Sequence, residues 1–124
     1  MNLVDSCGWL EYFADGSNAG CFAKTIENTS HLIVPTICVY EVFRHMLQQQ
    51  GRSAALEATA AMFEATIVPL SDTLAMEAAG LGCDLGLPLA DSVILATARK
   101  FNAVLWTQDA HFKGLPGVKY FPVS

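Results

Sequence analysis

The feature that most constrains the fold is the alternation of short apolar runs, rich in β-branched residues, with longer helical segments. Consecutive parallel strands need a crossover of a dozen or more residues between them, usually a helix, and such sheets carry helices on both faces. We therefore predict a three-layer α/β/α sandwich around a central, mostly parallel sheet of about five strands. The expected strands are residues 2–5 (NLVD), 31–35 (HLIVP), 66–70 (TIVPL), 103–107 (AVLWT) and an edge strand in 118–123 (VKYFPV).

The helices between these strands carry recognisable start and stop signals. Thr36 follows a proline and is a predicted N-cap, and Gly51 ends the helix that follows it. Ser71 or Asp72 caps a later helix, and Pro88 is placed in the first turn of another. The expected helices cover about residues 6–16, 18–28, 36–50, 52–65, 73–86 and 87–100, and 108–114 is a turn. Since the chain contains no linker or repeat, residues 1–124 are predicted to form a single domain.

The helix of residues 87–100 (LPLADSVILATARK) has one acidic residue in an otherwise apolar first part. Its side chains leave no polar face before Arg99 and Lys100. Burying an ionised carboxylate is unfavourable unless a positive group meets it. Asp91 must therefore lie against the positive end of its own helix dipole or against a cation that the sequence does not contain, such as a metal ion.

Composition limits the class of protein and its compartment. The 124 residues are 52% hydrophobic, with a net charge of −5 and a mean hydropathy of +0.36. No apolar run approaches the ~18 to 20 residues that a membrane span requires, and the first residues lack the basic start of a signal peptide. Four cysteines without a C-x-x-C pair are interpreted as buried free thiols. We expect a cytoplasmic protein with no membrane contact, whose surplus apolar surface meets another chain.

Four acidic residues are placed where the carboxyl ends of the predicted strands meet. Asp5 closes the first strand, and Asp109 follows the fourth strand by two residues. Glu41 lies in the helix after the second strand, and Asp91 lies in the helix that leads into the fourth. In open α/β sheets the ligand crevice lies beyond the carboxyl ends of the strands. We therefore expect the four carboxylates to point into one crevice.

Each acid taken singly also has an ordinary structural explanation. Asp5 and Asp109 could cap the helical turns that follow them, and Asp91 could complement its helix dipole. Glu41 stands in mid-helix among apolar residues, where no cap is needed. Four converging carboxylates raise each other's pKa unless a counter-charge is present. Because oxygen ligands with room for water suit Mg²⁺ or Mn²⁺ better than Zn²⁺, the pattern favours a divalent-metal site.

These residues and their neighbours resemble the PIN-domain family, and in particular its small bacterial and archaeal VapC-type toxins. The resemblance covers essentially the whole chain and rests on four stretches in order: LVDSCGWLEYF, VPTICVYEVFRHML, LGLPLADSVILATARKF and AVLWTQDAHF. Each stretch is weakly specific by itself. Their order, spacing and total length together carry the resemblance.

The resemblance implies an Mg²⁺- or Mn²⁺-dependent endoribonuclease that acts as the toxin of a toxin–antitoxin pair. It also implies an RNA substrate, a cognate antitoxin protein and a homodimer. Asp5 and Asp91 are the expected direct metal ligands. By position, the resemblance assigns the metal-binding and catalytic quartet to Asp5, Glu41, Asp91 and Asp109, with supporting hydroxyls at Ser6 and Thr107.

Contacts to RNA phosphates are harder to assign, because the seven basic residues form no run longer than two. Arg44 and Arg52 are the candidates for substrate contacts, although each could be an ordinary surface residue. His45 and His111 are further candidates near the crevice, whereas His31 precedes a strand.

Two other functions are compatible with an acidic α/β domain of this size. A phosphoacceptor receiver domain would need an acidic pair after the first strand, but Asp5 is followed by Ser6. A PIN-like module that binds a partner without cutting RNA stays open, although all four acids are present. Aromatic residues in excess of one core face suggest a groove for an antitoxin segment, and the candidates are Trp9, Tyr12, Phe13, Phe22, Tyr40 and Phe43.

Overall fold

A computed structural model describes residues 1–123 and contains a five-stranded sheet whose neighbouring strands are all parallel. The strand order across the sheet is β3-β2-β1-β4-β5. The strands are β1 (Asn2–Val4), β2 (Leu32–Pro35), β3 (Thr66–Val68), β4 (Val104–Thr107) and β5 (Val118–Tyr120). The predicted α/β sandwich is confirmed, with a sheet that is parallel throughout rather than mostly parallel.

Helices connect the strands as the alternation predicts. Over residues 1–123 they are α1 (Ser6–Phe13), α2 (Ala19–Glu27), α3 (Thr36–Gln50), α4 (Arg52–Met62), α5 (Asp72–Leu85) and α6 (Leu89–Lys100). Two short 3-10 turns cover Thr29–His31 and Ala110–Phe112. Gly51 ends α3 with a φ of 90°, a left-handed value that suits glycine.

Two helix starts differ from the prediction, while a third is confirmed. Ser71 caps α5, since its hydroxyl accepts a hydrogen bond from the Leu74 N–H at 3.1 Å. Thr36 is not a cap: β2 runs into α3 without a connecting residue, so Pro35 occupies the N-cap position and Thr36 is the first helical residue. Pro88 likewise occupies the N-cap position of α6, one residue before the predicted first turn.

Several element ends were predicted too late in the sequence. α1 ends at Phe13, where a turn follows, rather than at residue 16, and β3 ends at Val68 rather than at residue 70. α4 ends at Met62, because Phe63 to Ala65 form the turn that leads into β3. β5 ends at Tyr120 rather than continuing to residue 123. Pro122 has no N–H to donate to a strand ladder, which explains the early end.

α6 is the most deeply buried helix of the sandwich. All eight residues from Asp91 to Ala98 are buried, which confirms that this helix has no polar face before Arg99. Its hydroxyl groups are satisfied locally: Ser92 donates to the Leu89 carbonyl and Thr97 to the Val93 carbonyl, both at 2.7 Å. A helix that is apolar all round belongs in the interior of a domain, so Asp91 is carried into the interior with it.

The strand order places a crevice at the centre of the sheet. β1 lies between β2 and β4, and the chain builds β2 and β3 on one side of β1 before it builds β4 and β5 on the other. The strand order therefore changes direction between β1 and β4, and ligands bind at such a switch point beyond the carboxyl ends of the strands. Asp5 follows β1 and Thr107 ends β4, so both border this crevice.

No single helix in the described part of the chain is long and apolar enough to cross a membrane. α5 and α6 meet the length and composition requirement only as a pair, and that pair is bent by 114°.

Two glycine substitutions test the packing that holds α1 in place. A Cβ atom at Gly8 would lie 2.6 Å from Val4 Cγ1 and 2.9 Å from the buried Phe22 ring. We expect Gly8→Ala to lower the free energy of unfolding by about 1 to 3 kcal/mol because of this overpacking. Gly80→Ala, in exposed mid-α5 where a Cβ meets nothing within 4 Å, should instead raise it by up to about 1 kcal/mol. Urea unfolding measures the change in the free energy of unfolding for both variants. A Gly8→Ala protein that is more stable than the wild type would contradict the close packing of Gly8 against Val4 and Phe22.

Candidate active site

The Asp5 carboxylate lies at the junction of β1 and α1 and is only 4% exposed. Its Oδ1 accepts a hydrogen bond from the Ser6 N–H at 2.7 Å, which makes Asp5 the N-cap of α1. Its Oδ2 accepts a hydrogen bond from the Thr107 hydroxyl at 2.8 Å. The capping and crevice interpretations of Asp5 are therefore compatible, because the two oxygens of one carboxylate serve them separately.

Thr107 joins the ends of the two central strands. Its fully buried Oγ1 donates to Asp5 Oδ2 and accepts a hydrogen bond from the Asp109 N–H at 2.9 Å. A single hydroxyl thus sets the backbone of Asp109 against the carboxylate of Asp5. This gives Thr107 a concrete positioning contact.

Ser6 brings Glu41 of α3 to the same edge of the sheet. The Ser6 hydroxyl is buried and donates to Glu41 Oε1 at 2.6 Å, across 35 residues of sequence. Glu41 itself is half-buried. The mid-helix acid without a capping role therefore has a specific partner next to Asp5.

His111 stands between Asp91 and Asp109. Its Nδ1 lies 2.7 Å from Asp91 Oδ2 and 3.2 Å from Asp109 Oδ1. The His111 N–H also donates to Asp109 Oδ1 at 2.9 Å, so Asp109 caps the 3-10 turn at Ala110–Phe112. The sequence-based hypothesis of a metal ion at Asp91 stays a prediction; in addition, the structure places His111 next to this carboxylate. Sequence spacing missed this contact because it depends on how α6 and the turn after β4 pack together.

These contacts connect all four predicted acids at the carboxyl edge of the sheet. The connected residues, in order, are Glu41, Ser6, Asp5, Thr107, Asp109, His111 and Asp91. They come from separate elements: the β1–α1 junction, α3, α6, the end of β4 and the turn after β4. The structure therefore brings the quartet and both supporting hydroxyls together.

Burial makes the carboxylates of Asp5 and Asp91 hard to ionise when no cation is present. Desolvation raises the pKa of Asp5 to about 6, despite the opposing hydrogen bonds from Thr107, Cys7 and Ser6. Desolvation and the neighbouring Asp109 charge raise the pKa of Asp91. The hydrogen bond to Asp91 and the charges of Asp109 and Asp91 raise the pKa of His111. Such a site favours a bound positive charge.

Cys7 is a site residue that the sequence prediction missed. Its Sγ lies 3.3 Å from Asp5 Oδ2 and 3.5 Å from Thr107 Oγ1. Burial, followed by the nearby Asp5 charge, raises the pKa of the thiol to about 12, so it is protonated and can donate to Asp5. The available signal was its position in the first turn of α1. The four cysteines are free as expected, but Cys21 and Cys83 are exposed rather than buried.

The donor set of the site fits a divalent cation. Donor atoms of Asp91, Asp109 and His111 all lie within 4.8 Å of one another. Among residues 1–123, Asp5 and Glu41 are not part of that compact group. Carboxylate oxygens suit Mg²⁺ and Mn²⁺, and a cation would offset the raised pKa values of Asp5 and Asp91.

Only some of the basic and histidine candidates lie near the four acids. Arg44 and His45 line a cavity of about 330 Å³ along α3 together with Glu41. Arg52 is an exposed residue at the start of α4. His31 precedes β2, at the opposite end of the strands from the crevice, and its Nδ1 lies 3.0 Å from Ser30 Oγ. Arg44 and His45 thus adjoin the acids, whereas His31 does not.

An all-parallel α/β sandwich with an acidic crevice at its switch point defines the class of protein. The sequence model of the PIN-domain family matches residues 3–118 of this chain. The chain therefore belongs to the PIN-domain family, as the sequence resemblance predicts. A comparison with curated protein sequences finds no match.

Solved structures of similar fold cover nearly the full length of the chain. A chain of a toxin–antitoxin complex from Klebsiella pneumoniae is 22% identical, with a TM-score of 0.85, and the match covers 99% of this chain and 100% of that one. A chain of VapBC2 from Rickettsia felis, bound to a promoter DNA fragment, is 14% identical with a TM-score of 0.74 over 98% and 97% of the two chains. VapC20 of Mycobacterium tuberculosis, a sarcin–ricin loop cleaving toxin, is 14% identical with a TM-score of 0.70 over 84% and 85%. At these identities the likeness establishes the shared fold.

The raised pKa of Asp5 predicts an unusual pH dependence of stability in EDTA. Because the pKa is about 6 in the folded protein and about 4 in an unfolded chain, stability falls as the pH rises from 4 through 6. Asp5→Asn removes this effect, so we expect the variant to be more stable than the wild type at pH 7 by on the order of 2 kcal/mol. The difference should disappear near pH 4. Urea unfolding at both pH values measures it, with Asp84→Asn on the exposed face of α5 as the control. A variant less stable than the wild type at pH 7 would contradict the desolvation of Asp5.

Proposed function

We propose that this protein is a divalent-metal-dependent endoribonuclease and the toxin of a toxin–antitoxin pair. The observation that carries the proposal is the connected set of four acids at the switch point of a PIN-domain sheet. Burial of two of these carboxylates, Asp5 and Asp91, is unfavourable for stability. A binding or catalytic role for a cation accounts for it.

The proposal assigns a separate task to each part of the site. Asp91 and Asp109 would hold Mg²⁺ or Mn²⁺ directly. Asp5, which was also expected to be a direct ligand, is connected to Asp109 through the Thr107 hydroxyl. When bound, such an ion polarises a phosphodiester oxygen and lowers the pKa of a water molecule. Glu41 is held by the Ser6 hydroxyl on the other side of Asp5 and orients the attacking water.

RNA binding by an acidic protein requires a local rather than a global positive charge. Arg44 lines the same α3 cavity as Glu41, and this supports a contact between Arg44 and a phosphate near the scissile one. His45 lines that cavity too. Arg52 is a weaker candidate, since it lines none of the cavities along α3.

A groove next to the acids supports an antitoxin partner. It has a volume of about 250 Å³, is lined by Leu10 and Phe13 of α1 and by His45 and Met46 of α3, and reaches Ala54 of α4. His45 also lines the cavity that contains Glu41, so the groove and the acids adjoin. An apolar antitoxin segment would fill the groove, and a basic side chain from it would reach the carboxylates. Trp9 and Phe22 are buried in the core and do not contribute to this groove.

Similar structures that are toxin–antitoxin complexes support the same partner. The homodimer and the cytoplasmic location stay predictions of the family resemblance. They are independent of the metal site, so a monomeric protein would leave the proposed chemistry intact.

The proposed activity is tested by cleavage of a mixed cellular RNA pool. We expect purified protein to cut RNA with Mg²⁺ or Mn²⁺ and not with EDTA. Asp5→Asn and Asp91→Asn should lower the cleavage rate at least about 100-fold, because a catalytic metal contributes several kcal/mol. Asp84→Asn makes the same charge change on an exposed surface and should cut like the wild type. Sequencing of the fragment ends identifies the cleaved RNA.

Cleavage that survives EDTA would contradict the metal mechanism. A folded protein that binds Mn²⁺ and cuts no RNA would favour the second candidate, a PIN-like partner-binding module. The groove beside the acids is the observation that keeps this candidate open. Under that alternative, Asp91→Asn leaves partner binding largely intact and has no cleavage to abolish.

A further inference from the structure

His111 is not one of the four acids, yet its side chain contacts two of them, Asp91 and Asp109. Its Nδ1 is 2.7 Å from Asp91 Oδ2 and 3.2 Å from Asp109 Oδ1, while 58% of its side chain is exposed. A nitrogen in this position either donates a hydrogen bond to the carboxylates or shares a cation with them.

The distances from His111 Nδ1 to the two carboxylates match the ligand shell of a small cation. Ligands at ~2.0 to 2.1 Å from a six-coordinate ion lie about 3.0 Å apart when they subtend a right angle. The two distances from His111 Nδ1, 2.7 and 3.2 Å, bracket this value. The donor atoms of all three residues lie within 4.8 Å of one another.

The backbone around His111 holds it in this position. Asp109 Oδ1 accepts the His111 N–H at 2.9 Å, and Thr107 Oγ1 accepts the Asp109 N–H at 2.9 Å. Phe112, the next residue, is fully buried and anchors the 3-10 turn. The imidazole is therefore placed by the same contacts that place Asp109.

We propose that His111 Nδ1 binds the divalent cation together with Asp91 and Asp109, and that this nitrogen makes the site prefer a later transition ion such as Co²⁺ over Mg²⁺. The inference rests on the proposed metal-dependent function and specifies its ion. Mg²⁺ is bound through oxygen ligands and water, whereas imidazole suits the later transition ions, whose affinity for a given site rises from Mn²⁺ to Co²⁺ and Ni²⁺. A mixed oxygen and nitrogen set therefore discriminates between ions that four carboxylates would bind more evenly.

A purely ionic role for His111 and a role as a ligand predict opposite effects of its removal on metal affinity. If a protonated His111 only neutralises Asp91 and Asp109, an incoming cation must displace it. Its removal would then raise the affinity for every divalent ion. If His111 is a ligand, its removal lowers the affinity for Co²⁺ and leaves the affinity for Mg²⁺ unchanged or higher.

The experiment compares Co²⁺ and Mg²⁺ binding by titration calorimetry, together with the visible absorption spectrum of bound Co²⁺. The proteins are the metal-free wild type, His111→Ala, and His31→Ala as a control histidine outside the crevice. We expect His111→Ala to weaken Co²⁺ binding at least tenfold and to change the Co²⁺ spectrum, with no loss of Mg²⁺ affinity. His31→Ala should match the wild type in all three measurements, and circular dichroism verifies that both variants fold.

Unchanged or stronger Co²⁺ binding by His111→Ala would overturn the ligand assignment, and so would an equal loss of both ions. In either case the proposed function stands if Asp91→Asn abolishes metal binding. A wild-type protein that binds neither ion would overturn the ligand assignment and the proposed metal dependence together.

Discussion

The hydroxyl of Thr107 links the two central strands at the point where the crevice of the sheet opens. It donates to the carboxylate that follows β1 and accepts the N–H of the acid that follows β4. Because β1 and β4 are hydrogen-bonded neighbours on either side of the switch point, one buried group can set the distance between the two loops. The positions of Asp5, Asp109 and His111 all depend on this contact.

The site contains carboxylates whose ionised form is destabilised by burial in the folded protein. Asp5 and Asp91 are largely buried, and burial raises the pKa of both. The surrounding donors, Ser6 and Thr107 at Asp5 and His111 at Asp91, satisfy the oxygens without supplying a permanent positive charge. Functional sites often contain groups that lower the stability of the folded protein, and buried carboxylates without a positive partner are such groups. A cation would supply the positive partner.

The fold and the edge of the sheet that carries the site were predictable from the sequence, because both follow from short-range pattern. Alternating strands and helices predict the parallel sheet, and an acid directly after a strand, such as Asp5, must lie at its carboxyl end. α6 was recognisable as a buried helix for the same reason. Thr36 was placed wrongly because capping rules assume a loop before the helix, and here β2 continues directly into α3.

The finer composition of the site was beyond sequence patterns. His111 was expected near the crevice, but its contact with Asp91 depends on packing between distant elements, and no spacing rule relates residue 91 to residue 111. Cys7 was not predicted, although it follows Asp5 by only two residues. The choice between Asp5 capping a helix and Asp5 facing the crevice could not be made from sequence either. The structure shows that it does both, because its two oxygens point to different partners.

The central claim is that the acids at this edge of the sheet hold a divalent cation. Its most direct test is a crystal structure of the protein grown with Mn²⁺, with diffraction data collected to show the anomalous signal of manganese. We predict an anomalous peak bounded by Asp91 and Asp109, with His111 turned from a partner of Asp91 into a partner of the ion. Crystals that contain Mn²⁺ but show no peak at this edge, with the contact between Asp91 and His111 intact, would contradict the account.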